Sequence, residues 1–174
     1  RGQLQISEMT RALQMLTDRH EVLRCTFADD DGQLSQLVRS RACADITNIA
    51  ARTTDEAHDA LEQFLAVRFD LGKNLLFRTL LSTVSDPEDE EPDAYLVLKF
   101  HHIIVDQMSI ASLISELSTL YAALVAGQSP CLPEQALDYA DYVVWQQDNV
   151  TRDAVQDKVG FWKDAFSKPV GCIN

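Results

Sequence analysis

The chain has 174 residues, of which 46% are hydrophobic and 24% charged, a composition typical of a globular protein with one sizeable core. Its formal net charge of −12 argues against a nucleic-acid or anionic-membrane surface, because phosphate binding requires clustered Lys and Arg. No apolar run reaches the roughly 18 residues of a membrane-spanning helix, and no signal peptide opens the chain. The sequence starts at Arg1 rather than Met, which suggests an excised domain or fragment.

Four cysteines, Cys25, Cys43, Cys131 and Cys172, lie far apart with no CxxC pair. A structural zinc site requires closely spaced ligands, and a disulfide framework is typical of small secreted chains. The cysteines therefore predict reduced thiols in a cytoplasmic protein, and nothing near them indicates a nucleophilic role.

The N-terminal part of the sequence predicts a helix followed by a hairpin. Residues 4–21 carry apolar side chains at spacings of three and four, which is typical of a helix with one apolar face. The β-prone segment LRCTF, 23–27, predicts a strand, DDDG at 29–32 a turn, and QLSQLV at 33–38 the returning strand.

The middle of the chain predicts a second helix and two further strands. Residues 44–49 are ambiguous, with a short strand as one interpretation, and residues 53–69 predict a helix with Thr54 available as its cap. The apolar runs 75–84 and 94–102 predict an antiparallel strand pair. The acidic segment between them, SDPEDEEPD, is too charged for a core and predicts a mobile surface loop.

The C-terminal part predicts helices only. Residues 108–125 repeat at three and four and predict a long, largely buried helix, and a linker rich in Gly and Pro precedes helices at about 138–148 and 152–167. Tyr142 and Trp145 share a face of the first of these, which favours packing in a core or against another lobe over substrate contact. The element order predicts an α/β sandwich with a mixed or mainly antiparallel sheet packed by helices.

Two adjacent histidines, His101 and His102, end the second apolar run. Side chains alternate along a strand, so one ring can face a site while the other packs inward. Histidine suits proton transfer near neutral pH, since its ordinary pKa is about 6.5. Asp106, four residues after His102, could orient a ring, cap the following helix or pair with a distant arginine.

A metal site is disfavoured by the same geometry. Adjacent rings on one strand diverge, and the remaining histidines, His20 and His58, show no ligand-like spacing. The sequence therefore predicts no bound metal.

The segment HHIIVDQMS, 101–109, resembles the HHxxxDG signature of the condensation domains of nonribosomal peptide synthetases, in the chloramphenicol-acetyltransferase-like superfamily. RHEVLRCTF at 19–27 resembles the family's RHExLRTxF, and RFDLGKNLLFR at 68–78 resembles its FDL…PLLR stretch. YADYVVW at 139–145 resembles YxDYAVW, and GFWKDAF at 160–166 resembles the segment downstream. These similarities follow the family's order and cover most of the chain.

The resemblance implies the N-terminal lobe of such a domain, a two-layer α/β sandwich, without the family's earliest motif and without its C-terminal lobe. It implies the joining of a donor acyl thioester to an acceptor amine, forming an amide or, in some members, an ester. Partner carrier proteins deliver both substrates on phosphopantetheine arms, so the lobe itself holds no cofactor. A peptide synthetase or a polyketide synthase–peptide synthetase hybrid fits as the parent.

The resemblance also assigns roles to residues. It makes His102 the catalytic residue, as a base or as a group that orients the amine, and His101 the inward, structural ring. It pairs Asp106 with an arginine of RHEVLR, and the predicted strand position favours Arg24 over Arg19.

One residue departs from the family pattern, because Gln107 stands where the signature has Gly. Glutamine could narrow the tunnel, reshape the loop, or simply fit if the position has an ordinary φ. This departure leaves open an alternative, a degenerate, noncatalytic lobe that serves as a docking scaffold. An isolated lobe is expected to be inactive in either case, because half of the tunnel is missing.

Overall fold

The computed structural model describes residues 4–85, 93–150 and 152–167. The central part of the predicted acidic loop, 86–92, and Cys172 lie outside the described residues. The chain divides into two compact units, residues 1–134 and 135–174.

The first unit alternates helices with short strands and contains both sheets. In chain order it comprises α1 (Ile6–Arg19), a 3-10 helix (Glu21–Arg24), β1 (Cys25–Asp30), β2 (Gln33–Val38), β3 (Asp45–Ala51), α2 (Thr54–Ala66), β4 (Phe77–Val84), β5 (Asp93–Phe100) and α3 (Gln107–Val125). The second unit contains α4 (Tyr139–Asn149) and α5 (Arg152–Ala165). The predicted helices and strands are thus confirmed, and the ambiguous segment at 44–49 forms β3.

Strands β1 and β2 form the predicted antiparallel hairpin. Its two-residue turn has positive φ at both positions, 52° at Asp31 and 86° at Gly32, the combination that a type I′ hairpin turn requires. The predicted start of the first strand is wrong, because Leu23 and Arg24 belong to the 3-10 helix. Both are buried there, which shows that packing decided the conformation of these residues.

The larger sheet has the order β3-β4-β5, with β3 parallel to β4 and β4 antiparallel to β5. This confirms the predicted mixed sheet and the predicted antiparallel pair. Helix α2 connects β3 to β4, since parallel neighbours need a crossover rather than a tight turn. The register places Phe77 opposite Phe100, where the two rings stack with centroids 4.7 Å apart.

Helices cover both faces of this sheet. Helices α1 and α3 share the main core with Phe77 and Leu81 of β4, which is the two-layer arrangement that the sequence predicts. Helix α2 packs on the other face, where Ala57 joins Ala51 and Val84 in a small cluster. The main core also positions the end of β5, because Leu98 and Phe100 pack against it.

Helix α3, with 19 residues, is apolar and long enough to cross a membrane by length and composition, the only such helix among the described residues. This was not expected from the sequence. The helix has the contacts of a core helix instead: Leu113, Leu117, Leu120 and Leu124 are buried at spacings of three and four. Its Glu116 binds Arg19 in α1.

Candidate functional site

The His101–Asp106 loop joins the end of β5 to the start of α3, and the backbone holds it at both ends. The His101 amide donates to the carbonyl of Leu76 at 2.9 Å, which continues the β4–β5 pairing one step past Phe100. The carbonyl of His101 accepts from the Ile104 amide at 3.1 Å, which closes a tight turn. Ile104 and Val105 are buried in the main core. The loop is therefore a rigid mount for the side chains it exposes.

His101 is half-buried, and its ring is oriented by two neighbours. Nδ1 accepts from the Ile103 amide at 3.1 Å, and the ring lies edge-on to Phe69 with centroids 6.1 Å apart. A ring nitrogen that accepts a hydrogen bond carries no proton, so the neutral ring has its proton on Nε2. The loop's own backbone therefore selects the tautomer of His101.

His102 is exposed, one residue further along the turn. No protein group in the described part of the chain forms a hydrogen bond with its ring. Because the backbone on both sides is anchored, the ring is held in place while both nitrogens remain accessible. This arrangement suits proton exchange with a molecule that approaches from outside the lobe.

Asp106 caps α3, one of the roles that its position in the sequence allows. Its Oδ1 accepts from the Ser109 amide at 2.7 Å and from the Ser109 hydroxyl at 2.6 Å. The Ser109 hydroxyl contributes most, and backbone amides contribute further, to a pKa of the Asp106 carboxyl below its ordinary value of 3.8. The carboxylate is therefore ionised at neutral pH and satisfies the start of the helix.

The predicted ion pair between Asp106 and Arg24 is wrong. Arg24 is buried and donates to four backbone carbonyls, those of Thr17, Asp18, Arg39 and Ser40. The first two belong to the last turn of α1 and the last two follow β2. Carbonyls at a helix C-terminus carry partial negative charge, so Arg24 finds its compensation in the backbone and joins α1 to the hairpin.

Arg19, the second candidate partner of Asp106, is also engaged elsewhere. Its Nε lies 3.2 Å from Oε2 of Glu116, and its Nη2 donates to the Pro133 carbonyl at 2.6 Å. His20 Nε2 lies 2.6 Å from the same Glu116 oxygen. Glu116 therefore ties the end of α1 to the middle of α3, the helix that starts at the loop.

Gln107 is the first residue of α3 and is exposed. Among the described residues other than glycine, only Asp31 has a positive φ, so glutamine occupies this position in an ordinary helical conformation. Of the consequences expected from the sequence, the ordinary φ is confirmed, and no backbone strain results from the departure.

No group of three or more His, Cys, Asp or Glu residues that could hold a metal ion occurs in the described ranges. The aromatic residues of α4 form contacts with one another: Tyr142 lies 5.9 Å from both Tyr139 and Trp145 between ring centroids. All three are exposed, which contradicts burial in a core of their own unit and leaves docking against another lobe as a prediction.

Sequence reasoning missed Ser109, Glu116 and Phe69 as partners of the predicted site residues. Ser109 could have been found, because a carboxylate three residues before a hydroxyl at a helix start is a capping pattern. Glu116 and Phe69 carried no such signal, since their contacts join segments far apart in the chain.

Comparison with known proteins gives one consistent result. Residues 1–172 match the family model described as condensation domain. The linear gramicidin synthase of Brevibacillus parabrevis contains a segment that is 34% identical over 172 residues, which cover 95% of this chain and 3% of that protein.

Solved structures agree. The X-domain from teicoplanin biosynthesis is 27% identical with a TM-score of 0.79, over 94% of this chain and 36% of that one. The epimerization domain from the third module of tyrocidine synthetase B has a TM-score of 0.84 at 18% identity, over 98% of this chain and 39% of that one. The second likeness concerns the fold alone. The chain thus spans little more than a third of these domains.

Proposed function

This chain belongs to the condensation-domain family, and we propose on that premise that it is the N-terminal lobe of a domain that forms amide bonds between carrier-bound substrates. The donor is an acyl or peptidyl thioester, and the acceptor is an amine or, for an ester product, a hydroxyl group. The observation that supports this function is the exposed His102 ring on a loop whose two ends are buried and hydrogen-bonded.

In the proposed reaction, the acceptor nitrogen attacks the thioester carbon, and the new C–N bond forms as the C–S bond breaks. The sulfur leaves as the phosphopantetheine thiolate, and the nitrogen loses one proton. His102 accepts that proton or holds the nitrogen in line for attack, and both roles require a ring nitrogen within hydrogen-bond reach. The proton then passes to the departing thiolate or to water, so that charge balances.

The contacts of the loop support a division of labour between the two histidines. The Nδ1 of His101 is occupied by the Ile103 amide, whereas His102 is exposed. We propose that His101 positions the loop and that His102 contacts the substrate. Asp106, Arg24 and Arg19 support the site indirectly, through the start of α3, the α1–hairpin contact and Glu116.

Acyl or peptidyl carrier proteins and the C-terminal lobe of the same domain are the proposed partners. The phosphopantetheine arms belong to those carriers, and the lobe contributes no cofactor of its own. Cys25, Cys43 and Cys131 are free thiols, which fits the reducing cytoplasm, where we propose the protein acts.

The test is a condensation assay on the full-length parent protein, with donor and acceptor loaded on their carrier domains. We expect His102→Ala to reduce product formation by about 10²–10⁴-fold, the range typical of acid–base and positioning groups. The matched control is His58→Ala, since His58 is an exposed histidine of α2 with a single long contact, 3.5 Å, to Glu62.

Equal rates for the wild type and the His102 variant would refute the catalytic role. The isolated lobe is expected to form no product, and turnover by this chain alone would contradict the requirement for a second lobe.

The second candidate function is a noncatalytic docking lobe. It is favoured by the likeness to the teicoplanin X-domain and by the Gln107 departure. Carrier-protein binding that persists in a parent protein without condensation activity would support this candidate instead.

A further inference from the structure

A cavity of about 150 Å³ lies between α2 and the larger sheet. Ala57 and Leu61 of α2 form one wall, and Leu80 of β4 and Val97 of β5 form the other. It arises because α2 packs mainly against β3 and β4, so its side toward β5 is left without a packing partner. A cavity of this size with apolar walls accommodates one benzene-sized group.

The cavity also contains a buried hydroxyl that no protein group satisfies. Ser82 lines it and is only 2% exposed, and its Oγ has no hydrogen-bond partner within the described ranges. A buried polar atom without a partner is costly, so a ligand oxygen placed there would gain more than it would at a satisfied site. The apolar walls and this single polar atom together define the chemistry of a ligand.

The cavity is distinct from the histidine loop. Val97 precedes His101 by four residues, about 13 Å along a strand. Lys99 occupies the space between them, where its Nζ donates to the Leu65 carbonyl at 2.9 Å, near the end of α2. A molecule in the cavity therefore has no direct route to His102 through this layer.

From these contacts we infer that the cavity between α2 and β5 is a binding site for a small aryl or alkyl alcohol of about the size of benzyl alcohol. The ring or chain lies between Leu61, Leu80 and Val97, and the hydroxyl oxygen pairs with Ser82. This site is independent of the proposed condensation activity.

The test is methyl NMR of the full chain labelled at Leu and Val, titrated with benzyl alcohol and separately with ethylbenzene, which has the same shape without the hydroxyl. We expect saturable shifts of the Leu80 methyl groups with both probes. Ser82→Ala should raise the Kd of benzyl alcohol about fivefold and leave that of ethylbenzene unchanged, because one hydrogen bond is lost. Val97→Phe should fill the cavity and abolish both shifts.

The Leu13 resonances report folding, since Leu13 is fully buried in the main core away from the cavity. If Val97→Phe disturbs Leu13, the Ser82→Ala comparison carries the test alone. The proposal is overturned if neither probe shifts Leu80 saturably, or if Ser82→Ala changes the affinities of the two probes equally.

Discussion

Asp106 Oδ1 accepts two hydrogen bonds from Ser109, one from its amide at 2.7 Å and one from its hydroxyl at 2.6 Å. The carboxylate of the histidine motif thus stabilises the start of α3 instead of neutralising an arginine. Because α3 is held in the main core by its buried leucines, the cap transmits the position of the helix to the loop that carries His102.

Replacing the cap should lower stability in a graded way. We expect Asp106→Ala to lower the Tm of the chain by about 2–4 °C, since both Ser109 hydrogen bonds are lost. Asp106→Asn keeps an acceptor oxygen and should lower the Tm less. Circular dichroism melts at pH 7 measure both variants, and an unchanged Tm for Asp106→Ala would show that the cap contributes nothing.

The contribution of the Asp106 charge should also depend on pH. The pKa of this carboxyl is lower in the folded chain than the ordinary 3.8, so its ionised form favours the folded state. The stabilisation is fully present above pH 3.8 and is lost as the pH falls below 3.8 through the folded pKa. Urea unfolding of the wild type and Asp106→Asn should therefore differ at pH 6 and converge in acid; a difference that grows on acidification would contradict this sign.

Arg24 should be among the most sensitive positions of the lobe. Arg24→Ala removes the donor to four carbonyls around the end of α1, and we expect a loss of about 2–4 kcal/mol in the free energy of unfolding. Arg24→Lys keeps the charge but offers fewer, less spread donors, so about half of that loss is expected. Urea titrations provide the comparison, and a loss below about 0.5 kcal/mol in Arg24→Ala would mean that water replaces the guanidinium at no cost.

Thr79 offers the opposite effect. Its side chain is fully buried in β4 and its Oγ1 has no partner among the described residues. Thr79→Val should stabilise the chain by about 1 kcal/mol, because it replaces the unsatisfied hydroxyl with a methyl group of the same shape. Thr17→Val is the matched control: Thr17 is equally buried, but its hydroxyl donates to Leu13 at 2.8 Å. We expect that variant to gain nothing or to lose stability, and equal gains from both would remove the argument from hydrogen bonding.

Gln107→Gly, which restores the glycine of the family signature, should not stabilise the fold. Position 107 is the first residue of α3 and has an ordinary φ, so glycine only adds conformational freedom to the unfolded chain. We expect a loss of up to about 1 kcal/mol in the free energy of unfolding. A gain would reveal strain at glutamine, and it would be detected in the same urea titration.

The elements that the sequence predicted well are those with local signals. The Asp31–Gly32 turn requires positive φ, which glycine and aspartate tolerate better than most residues, so the hairpin could be located from these residues. The spacing of Leu113, Leu117, Leu120 and Leu124 similarly located α3 and its buried face.

The predictions that failed depended on partners far away in the chain. Arg24 could be identified as a buried cation only by knowing that β2 ends beside α1, where carbonyls of Arg39 and Ser40 await it. Glu116 pairs with His20 across 96 positions of sequence. Neither contact leaves a periodic pattern.

The sequence by itself determined the family, the order of the elements and the placement of two histidines at the end of a strand, because motifs and periodicity are local properties of the chain. Only the tertiary structure decided that His101 is held by Ile103 and Phe69 while His102 is exposed. It also decided that Asp106 caps α3 and that Gln107 is unstrained. Those outcomes follow from which donors and acceptors packing brings within about 3 Å of each other, and hydrogen bonds form only at such distances.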